Sequence, residues 1–300
     1  MSRLDDRRRV TTLRDVPYGE ADGMPLLLDV LHPDPLPSAP PPAVVWVHGG
    51  GWESGDKEEA QEPALNPFLA AHGFFTVGVN YRLSDQSSFP AQLHDVKAAV
   101  RWLRANATHL GINPERIGVW GHSAGGHLAA LLGATGDLPA LEGDSGSPGY
   151  SSRVQAVVAV SAPSDFTAIP PGWTHAEPRR ATSKLVGGPL EQHLDAVRLA
   201  NPIAHLHGDA PPFLLIHGER DEIVPVEQAD LLYRALQRAG VPATFIPIPG
   251  ANHSLAGPNP LPPKDARWAE VGRRALDFFA RALVPVAPLR HGDAVTPMRP

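Results

Sequence analysis

The chain has 300 residues, enough to bury a sizeable core as one large domain or two ordinary ones. Its net charge of −6 argues against a nucleic-acid surface, and its lack of cysteine excludes disulfides, thiolate metal ligands and a cysteine nucleophile. No apolar run is long enough to span a bilayer, and the charged N-terminus lacks the apolar core of a signal peptide, so a cytoplasmic location is expected unless a leader has been removed.

In chain order, residues 1–12 are expected to be loosely attached, within an N-terminal extension covering 1–23. Residues 26–31, Leu-Leu-Leu-Asp-Val-Leu, predict an edge strand. Six prolines within 33–42 predict a surface loop. Buried strands are predicted at 43–47 and 74–79. A helix is predicted to begin near Pro90, with Leu93, Val96, Val100 and Leu103 on one apolar stripe. Strands at 117–120, 154–160, 213–217 and 243–248 follow. Between the last two, a helix carries Ala229, Leu232 and Leu236 and stops at Gly240. The final helix carries Trp268, Val271, Ala275, Phe278 and Ala282, and 284–300 is a polar, Pro-rich tail.

This alternation, with continuous apolar runs in the middle strands, predicts an α/β protein with a mostly parallel central sheet and helices on both faces. Residues 163–210 break the rhythm and are expected to form a cap-like insertion over the carboxyl edge of the sheet. The catalytic domain is therefore expected over 24–283.

Chemistry concentrates at Gly121-His122-Ser123-Ala124-Gly125, between an apolar strand and a helix-forming run. A serine held there must sit on a sharp, strained turn, and the residues two before and two after it come too close for a Cβ. Ser123 then stands at a helix N-terminus, where free N–H groups favour developing negative charge. A hydroxyl needs a base to take its proton, and the base needs a carboxylate to orient it. In this strand–turn–helix setting the partners follow in the order acid, then histidine. Only His253 and His291 come after the last strand, and His291 lies in the tail, so His253 is the candidate base. Glu219, Asp221 and Glu222 are the candidate acids. Asp221 is preferred because Ile223-Val224-Pro225 behind it would anchor a buried turn.

His48-Gly49-Gly50-Gly51-Trp52 follows another buried strand. Consecutive glycines leave backbone N–H groups unshielded, which suits an oxyanion hole built from Gly50, Gly51 and Ala124. A dinucleotide site fits poorly, since Gly49, Gly51 and Gly55 are misspaced and no phosphate loop exists. Trp52 and His122 are candidate pocket walls, and Trp173 fits a wall or plain packing. His205 and His207 are read as solvent-facing rather than as a metal pair. Asp95 is read as a structural hydrogen-bond partner.

Together with Asn80-Tyr81-Arg82-Leu83 and the Pro225 that closes the acid loop, these motifs resemble the α/β-hydrolase serine esterases. The branch they most resemble is the bacterial bifunctional feruloyl and acetyl xylan esterase type, which is related to hormone-sensitive-lipase-like esterases and kynurenine formamidases. The resemblance implies a serine carboxylic ester hydrolase that forms an acyl-enzyme on short acyl esters, with feruloyl or acetyl-sugar esters as further candidates. It implies a small-molecule ester as partner, no cofactor and no metal, in a monomer or homodimer. An arylformamidase-like amide hydrolase and a non-catalytic binding protein of the same fold are the alternatives.

Overall fold

In a computed structural model, residues 8–58, 65–168, 176–256 and 264–284 are described. Strand β1 (Arg9–Ala21) turns at Asp22-Gly23 into β2 (Met24–Asp34), and the two pair antiparallel. Both turn residues have positive φ, 51° and 73°, the conformation that lets a two-residue hairpin follow the strand twist. Residues 9–21 are thus part of the sheet, not the loosely attached extension expected from sequence. The outer edge is β1, and β2 lies one position in. Charge, Pro17 and two register shifts make β1 a poor template for further pairing.

Strands β3 (Ala43–Val47), β4 (Phe75–Val79), β5 (Ile117–His122), β6 (Ala156–Val160), β7 (Phe213–Gly218) and β8 (Ala243–Ile248) complete an eight-stranded sheet. Its order is β1-β2-β4-β3-β5-β6-β7-β8, and every pair from β4 to β8 is parallel. The fold class expected from the alternation is the one observed.

Helix α1 (Leu65–Ala71) precedes β4; α2 (Ala91–Ala105) and the short α3 (Ala107–Leu110) precede β5; α4 (Ala124–Ala134) leaves β5. After β6 come α5 (Ala176–Leu185) and α6 (Leu194–Ala200), then α7 (Glu227–Arg238) before β8 and α8 (Lys264–Leu283) at the end. On one face, Val45, Val47 and Val119 pack with Leu93 and Val100 of α2, Leu128 of α4 and Leu232 of α7. On the other, Val44, Trp46 and Trp120 pack with Leu69 of α1 and Trp268 and Phe279 of α8. Burying each such aliphatic or aromatic side chain is worth about 1.5–3 kcal/mol, so the two layers hold the strand ends rigidly.

The chain moves outward from β3 to β4 and then crosses back to β5, which lies on the other side of β3. Val47 is in register with Gly121, so the loops leaving β3 and β5 emerge side by side at the carboxyl edge. That switch point is where open α/β sheets place their ligands. The tail expected at 284–300 and His291 lie outside the described residues apart from Val284. Among the described residues no helix is long and apolar enough to cross a membrane.

Candidate active site

Ser123 sits between β5 and α4 with φ 56° and ψ −120°, a strained conformation for a residue with a side chain. The strain is held by packing. A Cβ on Gly121 would strike the Gly125 backbone, and one on Gly125 would strike the Val47 carbonyl oxygen. The Ser123 amide donates to Val160 O at 2.8 Å, tying the turn to β6.

Ser123 Oγ is 2.9 Å from His253 Nε2, and His253 Nδ1 is 2.8 Å from Asp221 Oδ2. Three elements deliver these groups: the turn after β5, the loop after β7 and the loop after β8. The other Asp221 oxygen, Oδ1, accepts the amides of Ile223 at 2.9 Å and Val224 at 2.8 Å. Asp221 and Val224 are buried in this turn, but Ile223 is 45% exposed and does not anchor it as expected, and Glu219 and Glu222 are exposed. Burial pushes the Asp221 carboxyl up, but hydrogen bonds from His217 and His253 outweigh it and hold the group well below the usual carboxylate range.

His253 is also fixed through its own backbone. Its carbonyl oxygen accepts from His122 Nε2 at 2.9 Å and from Ser161 Oγ at 3.2 Å. The Trp268 ring meets His122 edge-on, and its Nε1 donates to Ser254 O at 3.2 Å, so α8 clamps the same loop. Burial and the neighbouring His253 push His122 down to about 4, which keeps it neutral and a donor at neutral pH.

In the loop after β3, Gly50 and Gly51 have φ of 93° and 59°. The Gly50 carbonyl accepts from Glu53 N at 3.0 Å and Ser54 N at 3.1 Å, closing a tight turn. A Cβ on Gly49 would lie 3.5 Å from Ser123 Cβ, so this loop runs directly beside the serine. Ala124 begins α4, where the first-turn amides have no partner within the helix. The glycine loop at Gly49 and the start of α4 thus lie on either side of Ser123.

The Asn80-Tyr81-Arg82 motif holds this loop from behind. Tyr81 Oη donates to His48 O at 3.0 Å, its ring stacks on His48 at 4.2 Å, and Asn80 Nδ2 donates to Asp56 at 2.9 Å. Arg82 forks onto the buried carboxylate of Asp95 at 2.9 and 2.7 Å, the structural role expected for Asp95.

Trp52 departs from expectation. Its ring is only 4% exposed and meets His127 and Phe166 edge-on, so it packs in the core instead of walling an open pocket. The reason is its own φ of 59°, which turns the side chain inward from the glycine loop. His122 is half-buried against the His253 loop. Trp173 lies outside the described residues, and His205 Nε2 bonds Leu199 O at 2.9 Å.

Sequence reasoning missed the clamp on the outer side of the loop. Glu53, one residue past Trp52, is bridged to Arg180 at 2.7 Å and Lys184 at 3.7 Å, both on α5. Helix α5 thereby lies beside the loop, and a Cβ on Gly51 would be 3.5 Å from Ala181 Cβ. Missed too was His217, whose Nε2 lies 3.1 Å from Asp221 Oδ2, the oxygen that also faces His253. The His217-Gly218 pair that ends β7 was its one visible sign.

Relatives match the chain at several levels. The BD-FAE family matches residues 28–236, more than half of the chain, and the dienelactone hydrolase family matches 192–283. The esterase LipC of Mycobacterium tuberculosis is 35% identical over 257 residues, which is 83% of this chain and 61% of LipC. The esterase LipQ of the same organism is 32% identical over 261 residues, 83% of this chain and 58% of LipQ. The chain thus spans about six-tenths of the length of these curated relatives. Among solved structures, a truncated carbohydrate esterase from gut microbiota superposes with a TM-score of 0.79 at 28% identity, covering 94% of this chain and 99% of that one. The Est2 esterase of Thermogutta terrifontis with propionate bound gives 0.72 at 25% identity, covering 95% and 98%.

Proposed function

The chain belongs to the BD-FAE family, and on that premise we propose that it is a serine carboxylic ester hydrolase acting through an acyl-enzyme. The observation that carries this reading is the relay from Ser123 Oγ to His253 Nε2 at 2.9 Å and from His253 Nδ1 to Asp221 Oδ2 at 2.8 Å. In this reading His253 takes the serine proton as Oγ attacks the ester carbonyl carbon. The imidazolium, steadied by Asp221, returns the proton to the leaving alcohol. Amides of Gly50, Gly51 and Ala124 receive the oxyanion. Water activated by His253 then releases the acid.

Short acyl esters, acetyl to butyryl, are the proposed substrates, with acetylated sugars and feruloyl esters as the finer candidates. The propionate in the Est2 structure and the carbohydrate-esterase neighbour support that range. A non-catalytic role is disfavoured because all three members of the relay stand in hydrogen-bond reach of one another.

An organophosphonate probe tests the mechanism. Intact mass is expected to rise by one phosphonyl group in the wild-type protein and not in Ser123→Ala. Labelling of Ser123→Ala to the same extent, or no labelling of either, would overturn the reading.

A further inference from the structure

Asp221 is approached by two histidines, and only one of them reaches the serine. His217 ends β7 fully buried, with Nε2 2.7 Å from the Val224 carbonyl oxygen and 3.1 Å from Asp221 Oδ2. A carbonyl oxygen only accepts, so Nε2 carries the proton. Nδ1 is buried without a partner among the described residues. A proton on Nδ1 would be a buried donor with no acceptor, so the surroundings match a proton on Nε2.

Its single proton lies between the Val224 carbonyl and Oδ2. Asp221 receives three donors, the amides of Ile223 and Val224 on Oδ1 and His253 on Oδ2, and the His217 proton that bonds the Val224 carbonyl is shared toward the same Oδ2, with Nε2 3.1 Å away.

We propose that His217 is a positioning residue for the catalytic acid, resting on the serine-hydrolase reading above. It fixes the plane of the Asp221 carboxylate toward His253. It also draws charge from Oδ2, the same oxygen that faces His253 Nδ1. Each donor on that oxygen weakens its hold on the imidazolium that forms on His253 as the serine proton is taken. The ionisable groups with an electrostatic hold on Asp221 are His217 and His253, and His122 stands behind His253. Glu219, Arg220 and Glu222 on the same loop and Glu227 of α7 are exposed.

A purely structural His217 would tie Val224 O and support the loop, and its loss would change stability alone. The pH dependence of kcat/KM on p-nitrophenyl acetate separates the two roles. His217→Phe removes the donor and fills the space. The acidic limb is expected to move up by about one pH unit, with kcat down about tenfold and KM little changed. His217→Gln, whose amide nitrogen reaches the place of Nε2, is expected to return the limb to its wild-type position. Should His217→Phe fail to fold, His217→Asn gives the same readout, because its amide stops at the position of Nδ1. An unmoved limb in the donor-less variant, or a limb displaced equally in His217→Gln, would overturn the proposal. Failure of the parent reading looks different, since Ser123→Ala would then retain hydrolysis whatever stands at 217.

Discussion

His122 Nε2 donates to the backbone carbonyl of His253 at 2.9 Å, so the residue before the serine holds the main chain of the base. A residue that ends β5 and one that follows β8 are locked to each other, beside the 2.9 Å contact between Ser123 and His253. Replacing His122 with Leu is expected to lower kcat/KM about tenfold, the scale of one lost buried hydrogen bond. His122→Gln, which keeps a donor, is expected to recover most of it. Equal losses in both variants, measured with p-nitrophenyl acetate, would argue that ring packing against Trp268 matters and the bond does not.

Ser123→Ala is expected to lower kcat by about 10⁴-fold or more while leaving the fold intact. The backbone at φ 56° adds a second expectation. Ser123→Gly should be equally inactive yet more stable than the wild type by about 1–3 kcal/mol, because glycine carries no penalty there. Thermal melts of the three proteins decide it, and a lower Tm for Ser123→Gly would show that the turn is not strained.

Asp221→Asn is expected to cost about 10³- to 10⁴-fold in kcat, since the amide cannot hold the imidazole in the productive tautomer. Glu219→Gln and Glu222→Gln, at exposed positions, should change kcat by less than about twofold. A crippling Glu219→Gln beside a mild Asp221→Asn would reverse the assignment.

Acid stability should fall through one defined window. Burial pushes His48, His122 and His127 down from the usual 6.5 to about 4. At a pH between these values the unfolded chain binds protons that the folded chain refuses, so stability drops as pH falls from about 6.5 toward 4. Three such groups give a slope of up to about 4 kcal/mol per pH unit near pH 5. Denaturant midpoints measured from pH 7 to 4.5 test it. His127→Gln should flatten the slope by about a third, and an unchanged slope would show that this ring is not buried neutral.

Acyl-chain preference is the remaining test. The kcat/KM for p-nitrophenyl esters is expected to peak between acetyl and butyryl. An apolar tunnel would instead add about 0.8 kcal/mol per methylene and raise kcat/KM steadily with length. A maximum at decanoyl or longer, below the aggregation limit of each ester, would exclude the short-acyl reading.

What the sequence reveals here follows from how local the signal is. The elbow is legible because strand, glycines, serine and helix are contiguous. Asp221 is legible because Val224 beside it is buried, though Ile223, expected to help anchor the turn, faces solvent. The β1–β2 hairpin escapes notice although Asp22-Gly23 is a strong turn signal. Its first strand is charged and mostly exposed, so no alternation of apolar and polar residues announces it. Trp52 misleads because its type fits a pocket wall, and only its positive φ turns the ring inward. The Glu53–Arg180 bridge joins residues 127 apart on the chain, and no periodicity encodes a contact of that kind.

That bridge carries a consequence for anyone who recombines such chains. Arg180 and Lys184 stand on α5, while Glu53 belongs to the glycine loop after β3. A donor segment grafted in place of 163–210 to import a new substrate range would bring its own charges to face Glu53. A graft that includes α5 must therefore carry residue 53 along with it to keep the charges matched.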